Sequence, residues 1–325
     1  MHAFDSSMIC TAARRLQGHV VRTPLLHSPV LDALASCRVF VKAESLQRTG
    51  AFKYRGALNK ILSLPAEQVR AGFVTYSAGN HGQAVAAAAH AVGCPATIVL
   101  PRNAARIKVE SCRWWGAETV FYDPQVQARE EVARRIAEPR GMTIVPPFDD
   151  LDIMAGQGTA GLEICDQLAE ANAQPDAVLL NCSGGGLASG VAQALRDSHT
   201  QIAVHVVEPQ GYDKMARSLA AGSPQKNHEV PRTLMDGIAG PSAGSLPLQV
   251  LMRHGATGLS VSDDEVLHAM AAAFRTLKLV LEPAGAASLA AVLAQKTALQ
   301  GKTVVLVASG GNVDPEVFRQ ALDRA

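Results

Sequence analysis

LLNCSGGGLASG, residues 179–190, passes from a run of apolar residues through a serine and three glycines into small residues that suit a helix. Three successive glycines lose much backbone entropy on folding, so their place directly after a buried strand argues for a use. Bare backbone N–H groups at the start of a helix form a concave, partly positive surface that takes a phosphate. No lysine stands at P-loop spacing, so the stretch suits a phosphate that stays bound better than a nucleotide that is hydrolysed. A strand that ends in a glycine turn and feeds a helix is also the repeating unit of an α/β fold.

That unit recurs along the chain. Apolar runs at GFVTY (72–76), ATIVL (96–100), ETVFY (118–122), MTIVP (142–146), DAVLL (176–180), IAVHVV (202–207) and TVVLVA (303–308) read as strands. Most are continuously apolar rather than alternating, as expected of strands covered on both faces. Helix-like stretches lie between them at HGQAVAAAAHAVG (81–93), AREEVARRIAE (128–138), TAGLEICDQLAEA (159–171) and DDEVLHAMAAAFRTL (263–277). The order predicts βα units on open, largely parallel sheets with flanking helices. At 325 residues the chain exceeds the usual single-domain size. VPPFDD (145–150) interrupts the pattern, so residues 72–149 are expected to form a small lobe between two parts of a larger one, 1–71 and 150–325. A cleft between lobes is where a ligand site is expected.

Composition narrows the function. Hydrophobic residues make up 48% of the chain and aromatic residues only 4%, so aliphatic side chains fill the core. A net charge of +1 without long runs of like charge argues against nucleic acid or an anionic membrane surface as a partner. No apolar stretch reaches the length of a membrane-spanning helix, and the N-terminus lacks the pattern of a secretory signal. Six scattered cysteines without a CxxC pair read as buried thiols in a reducing compartment, which with the rest predicts a soluble cytoplasmic protein.

Two motifs mislead. Gly156, Gly158 and Gly161 stand at GxGxxG spacing, but the preceding strand ends about ten residues earlier and the next runs into Asn181 and Cys182, where a dinucleotide site needs an acid. Gly301-Lys302-Thr303 resembles the end of a P-loop, but Lys296 stands where its first glycine belongs.

Three further segments carry chemistry. In SLQRTGAFKYRGALNKI (45–61), Lys53 has apolar neighbours at a helix start, where desolvation lowers a lysine pKa and yields the neutral amine that forms a Schiff base. In TYSAGNHGQAVA (75–86), Ser77, Ala78, Gly79, Asn80 and His81 offer backbone N–H groups at a helix start, a cradle for a carboxylate. VVLVASGGN (304–312) ends a strand in Ser309, whose hydroxyl can donate to a ring nitrogen without forcing it to be protonated. Ligands of open α/β sheets bind at such carboxyl ends, so the three glycine-bearing loops are expected to converge.

Together the four segments resemble the fold-type II, tryptophan synthase β-like enzymes dependent on pyridoxal 5′-phosphate (PLP), in particular the serine/threonine dehydratase and serine racemase group. The resemblance implies that Lys53 carries PLP as a Schiff base and moves the α-proton. It implies that Phe52 flanks the ring, Asn80 bonds the ring hydroxyl, and Ser183, Gly184, Gly185, Gly186 and Leu187 hold the phosphate. Gly237 in LMDGIAG and Glu282 in LEPAGAA match family positions beside the cofactor. Arg129 in QAREEV matches a family arginine that approaches the substrate, and its plain alternative is a solvated helix charge. The implied activity is an ammonia-lyase acting on a β-hydroxy-L-amino acid such as threonine, serine, phenylserine or 3-hydroxyaspartate, in a homodimer with a large PLP-binding domain and a small substrate-gating domain. An amino-acid racemase is the alternative, and a metabolite-binding protein without catalysis is a third reading.

Four departures from the family pattern matter. Ala51 replaces a serine before Phe52-Lys53. Ala78 replaces the serine typical of racemases, and an alanine cannot donate a proton opposite the lysine, which favours the lyase. Ser183 replaces the first of four glycines. The family's divalent-cation site retains Glu208 as a candidate ligand, but Lys214 stands where an aspartate is usual, so a divalent ion, a monovalent ion or none remain open.

Overall fold

The computed structural model describes residues 4–77, 79–104, 106–227 and 232–324. The elements run α1 (Ser6–Leu16), β1 (Leu25–His27), α2 (Pro29–Ala35), β2 (Arg38–Lys42), α3 (Lys53–Ser63), α4 (Ala66–Ala71), β3 (Phe73–Thr75), α5 (Asn80–Val92), β4 (Ala96–Pro101), α6 (Arg106–Trp114), β5 (Glu118–Tyr122), α7 (Arg129–Arg140) and β6 (Thr143–Ile144). They continue through α8 (Leu151–Glu170), β7 (Ala177–Asn181), α9 (Gly186–Ser198), β8 (Ala203–Pro209), α10 (Lys214–Ala221), α11 (Ser245–Arg253), β9 (Thr257–Val261), α12 (Asp263–Leu277), α13 (Pro283–Leu293), β10 (Thr303–Val307) and α14 (Pro315–Leu322). A six-stranded sheet has the order β1-β2-β10-β7-β8-β9, and a four-stranded sheet the order β5-β4-β3-β6. Among the described residues the strands pair in parallel, apart from the antiparallel pair β1–β2.

Period-two alternation places successive side chains on opposite faces of a strand. Val39, Val41, Leu179, Val304 and Leu306 enter one apolar cluster, with α12 and α13. Their alternates Phe40, Val178, Leu180, Val305 and Val307 enter a second, with α8 and α9. The four-stranded sheet is covered in the same manner: Phe73, Ile98 and Leu100 pack with α3 and α5, and Val74 and Val99 with α7. This two-sided cover explains why the central strands read as continuous apolar runs. β1 and β9, by contrast, are sheet edges with half-exposed residues, and the sequence reading did not find them. It also missed β2, where Arg38 and Lys42 bracket three apolar residues.

The glycines at GxGxxG spacing lie inside α8, which begins at Leu151 with Asp150 as its N-cap. They let helices approach closely. A Cβ on Gly156 would fall 2.6 Å from the Gly56 Cα, one on Gly158 2.9 Å from the Gly190 carbonyl oxygen, and one on Gly161 2.7 Å from the Ala194 Cβ. VPPFDD therefore contains the start signal of α8, well before the helix-like stretch at 159–171.

The seam of α3 and α8 holds a buried charge network. Arg55, fully buried, donates to both oxygens of Glu44 (each 2.8 Å) and to both of Glu163 (2.7 and 2.8 Å). Lys42, also fully buried, donates to Glu163, to Gln167 (2.9 Å) and to the Thr23 carbonyl (2.7 Å). Burial raises the Glu44 pKa, but the Arg55 guanidinium outweighs it and holds the carboxyl below its ordinary range. Removing one member of such a network leaves an uncompensated interior charge. Arg55→Leu is expected to destabilise the protein by about 3–5 kcal/mol in urea unfolding, and adding Glu44→Leu should recover part of that loss. A single-variant loss under about 1 kcal/mol would mean the network is worth no more than a surface pair.

Candidate active site

Lys53 is the first residue of α3, and the segment before it is laced to the loop after β10. The Phe52 amide donates to the Ser309 carbonyl (3.1 Å), the Gly311 amide to the Gly50 carbonyl (2.9 Å), and Ala51 forms an isolated bridge with Gly310. Lys53 Nζ lies 5.2 Å from the Phe52 ring centroid and donates to the Pro147 carbonyl at 2.6 Å. Burial brings its pKa down from 10.5 to about 8, so roughly a tenth of the amine is neutral at pH 7, far more than for an ordinary lysine. An amine in that state is a nucleophile and a base.

The strand β3 leads through Ser77 and Gly79 into α5, which starts at Asn80 without a side-chain cap, so its first N–H groups are left for another acceptor. Ala78 lies outside the described residues. His81 donates from Nε2 to the Val145 carbonyl (3.1 Å), which places its tautomeric proton there, and Nδ1 has no hydrogen-bond partner. Burial first, and the Lys53 charge second, bring the His81 pKa down to about 3. The ring is therefore neutral.

Asn80 Nδ2 donates to Glu282, the N-cap of α13, and Asn80 Oδ1 accepts from Asn312 (2.8 Å). Burial pushes the Glu282 carboxyl up to about 7, against the opposing effect of the Asn80 hydrogen bond. A Cβ on Gly310 would fall 2.0 Å from Glu282 Oε1, so the loop must be bare there for the carboxyl to approach. Ser309 Oγ accepts from Asn181 Nδ2 (2.9 Å), while Asn181 Oδ1 accepts from the Ser288 amide (2.6 Å). With an acceptor position of the hydroxyl filled by the amide, its own proton is free to be donated.

The loop after β7 becomes α9 at Gly186, with Gly185 at φ +95° as the N-cap, a backbone that favours glycine. A Cβ on Gly184 would run into the Phe148 ring at 2.3 Å. Ser183 fits in place of a glycine because its Oγ accepts from the Gly240 amide (3.3 Å). First-turn amides of α9 have no intrahelical partners and form an anion site in the sense expected for a bound phosphate.

These segments enclose one cavity of about 660 Å³, within the range of about 300–1,000 Å³ typical of small-molecule sites. Its lining contains Phe52, Lys53, Ser77, Gly79, Asn80, His81, Arg129, Ser183, Gly184, Gly185, Gly186, Leu187, Gly237, Glu282 and Ser309. Every described residue expected at the site thus meets there except Glu208. The bare glycine cradle, the free Ser309 hydroxyl proton and the Lys53 amine fit the phosphate, ring nitrogen and aldehyde of PLP respectively. Arg129 opens α7, with its guanidinium carbon 5.4 Å from the Tyr76 ring centroid and Nε donating to Glu130 (2.9 Å). Glu208 is elsewhere, fully buried and bonded to Lys214 Nζ (3.2 Å) and to the Met215 and Ala216 amides (3.0 and 2.9 Å). Both of its carboxylate oxygens accept from this chain's own donors. Among the described residues no group of three or more His, Cys, Asp or Glu side chains is placed to hold a metal ion.

Phe148, Pro147, Asn181, Lys108 and Asp236 also line the cavity and were not expected there. Asn181 was noted only as an obstacle to dinucleotide binding, although a polar residue closing a buried strand is itself a signal. Lys108 and Asp236 form an ion pair across the cavity lining. The cysteines are all unpaired, and Cys10 is exposed rather than buried. No helix among the described residues is long and apolar enough to cross a membrane.

Comparison with known proteins agrees with this geometry. The family model for pyridoxal-phosphate dependent enzymes matches residues 16–310. The L-threo-3-hydroxyaspartate ammonia-lyase of a Pseudomonas species is 38% identical over 314 residues, 97% of each chain. Among solved structures, a threonine deaminase from T.th. superposes with a TM-score of 0.89 at 41% identity, covering 95% of this chain and 99% of that one. Maize serine racemase superposes with a TM-score of 0.91 at 36% identity, covering 99% and 98%. With a matching family model over nine-tenths of its length and a lysine, a glycine cradle and a serine converging on one cavity, this chain belongs to the pyridoxal-phosphate-dependent enzymes of fold type II.

Proposed function

We propose that the protein is a PLP-dependent ammonia-lyase that converts a β-hydroxy-L-amino acid to a 2-oxo acid and ammonia, with 3-hydroxyaspartate as its preferred substrate. The observation that carries the reading is the Lys53 amine, made partly neutral by burial, in the same cavity as the uncapped start of α5. PLP supplies the electron sink when bound. Ser183, Gly184, Gly185, Gly186 and Leu187 would hold its phosphate through backbone amides, Phe52 would flank the ring, Gly237 would leave room beside it, and Ser309 would donate to the ring nitrogen. Asn80 and Glu282 would face the ring hydroxyl. The amides of Ser77, Gly79, Asn80 and His81 would receive the substrate α-carboxylate and Lys53 Nζ would take the proton from Cα. The β-hydroxyl leaves together with a proton as water, and one water is taken up again when the resulting enamine, as its imine tautomer, hydrolyses to the 2-oxo acid and ammonia. For 3-hydroxyaspartate the products are oxaloacetate and ammonia.

Arg129 and Lys108 supply the side-chain specificity. Both are cationic, both line the cavity, and both follow strands of the four-stranded sheet. A second carboxylate on the substrate gains a charge-assisted partner there that a methyl group does not. The likeness to a 3-hydroxyaspartate ammonia-lyase over 97% of the chain supports the same choice. Serine racemisation is the second reading, favoured by the likeness to maize serine racemase, and the alanine at position 78 argues against it for want of a proton donor. The proposal includes a small gating domain at 72–149, a homodimeric assembly, and a cytoplasmic location suited to six unpaired cysteines.

Purified protein is expected to release 2-oxo acid faster from L-threo-3-hydroxyaspartate than from threonine or serine, and D-serine formed faster than pyruvate would replace the lyase by the racemase. Lys53→Ala should lose the absorbance of lysine-bound PLP and reduce turnover by about 10²–10⁴-fold. Arg129→Met should raise KM for 3-hydroxyaspartate by roughly tenfold, a loss of about 1.4 kcal/mol, and leave serine turnover little changed. Equal losses on both substrates would sink the proposed specificity. The rate of PLP uptake by apoenzyme should rise with pH as Lys53 loses its proton, with a midpoint near 8. A midpoint near the ordinary lysine value of 10.5 would contradict the desolvated amine.

A further inference from the structure

Three oxygens meet inside the protein beside the loop that carries Gly237, two from the stretch that runs from the end of β8 to α10 and one from that loop. One is Glu208 Oε1 at the end of β8, the second the carbonyl of Tyr212 in the following turn, and the third the carbonyl of Ile238. Lys214, fully buried on the first turn of α10, points its ammonium at all three, at 3.2, 3.5 and 3.3 Å. Asp213, the adjacent acid, pairs with Arg217 instead (3.2 Å). Converging oxygens in a low-dielectric interior repel one another unless a positive charge sits between them. A divalent cation needs six or more oxygens at short range, about 2.0–2.6 Å, whereas here an ammonium already stands in their midst.

We propose that Lys214 is a built-in cation, a positioning residue that ties the loop carrying Ile238 to the end of β8 and makes the protein independent of any added metal ion. Its effect reaches the cofactor cavity through the loop it tethers. Gly237, Ile238 and Gly240 line that cavity, and the Gly240 amide donates to Ser183 Oγ at the start of the phosphate loop. A metal ion at this place would do the same work with a ligand that chelators remove. Lys214 does it with one that they cannot. This role extends the proposed function, but thermal midpoints read it without substrate, so failure of the lyase reading leaves it standing or falling on its own test.

For the holoenzyme, the thermal midpoint and the absorbance of bound PLP should be the same in EDTA, MgCl2, CaCl2 and KCl. A wild-type midpoint that rises with any of these cations, or falls in EDTA, would overturn the proposal. Lys214→Asp exchanges the ammonium for a further oxygen ligand. It should melt lower than wild type in EDTA and regain more than about 2 °C with saturating CaCl2 or MgCl2. Equal midpoints with and without cation would count against it, since loss of a merely structural lysine gives no cation rescue. Lys214→Met, which retains much of the volume, covers the case of an insoluble aspartate variant. It should bind PLP more weakly at every cation concentration, and wild-type PLP affinity would reject the positioning role.

Discussion

Arg55 sits two residues after Lys53, and its guanidinium is clamped on one side by Glu44 and on the other by Glu163. Those two carboxylates come from the turn after β2 and from the middle of α8, so the first turn of α3 is held from both flanks. The start of α3 is thereby fixed in rotation, and Lys53 is delivered to the cavity while Arg55 stays in the interior. Two cations and two carboxylates share this interior, so no unit of charge is left over. Compensation of that kind is what lets so polar a cluster persist in the interior. Glycines complete the fixation. Gly56 and Gly156 allow α3 and α8 to touch along their backbones, which shortens the reach between Arg55 and Glu163.

The site itself is assembled by bare backbone at close approaches. Gly310 yields to the Glu282 carboxyl, Gly184 yields to the Phe148 ring, and a Cβ on Gly285 would fall 2.1 Å from the Gly310 carbonyl oxygen. In each case a side chain or carbonyl occupies the volume that a methyl group would need. The loops after β3, β7 and β10 are thus locked to one another by contact and by hydrogen bonds between distant residues. Asn181 alone joins β7 to β10 and α13 by four bonds.

Much of this was legible in the sequence, for identifiable reasons. The strands β3, β7 and β10 are central and buried on both faces, so apolar runs marked them, and their glycine-bearing exits marked the site. The two edge strands of the larger sheet were not legible, because β1 and β9 are half solvated and mix polar residues with apolar ones. The start of α8 was hidden in VPPFDD, where Asp150 caps the helix and Phe148 covers the phosphate loop, two roles that prolines obscured. The Arg55 network could not be read at all. Its charged members lie up to 121 residues apart, and charge pairing across such separations leaves no period or spacing to detect. Lys214 was visible as a departure from a family pattern, but only its coordinates tie it to the carbonyls of Tyr212 and Ile238.

A contrast within the interior separates structural charges from chemical ones. At Arg55 and Lys214, buried cations face carboxylates and carbonyls on several sides. At the cavity the interior groups are left short of partners. Lys53 bonds one carbonyl and its pKa falls to about 8, His81 Nδ1 has no partner and its ring stays neutral, and the Glu282 carboxyl rises to about 7. Each of these groups would be more stable with another donor, acceptor or counter-charge, and burial without that compensation costs folding free energy. The cost falls on three neighbouring residues of one cavity. That concentration is what distinguishes a place where protons are moved from a place where helices are merely held.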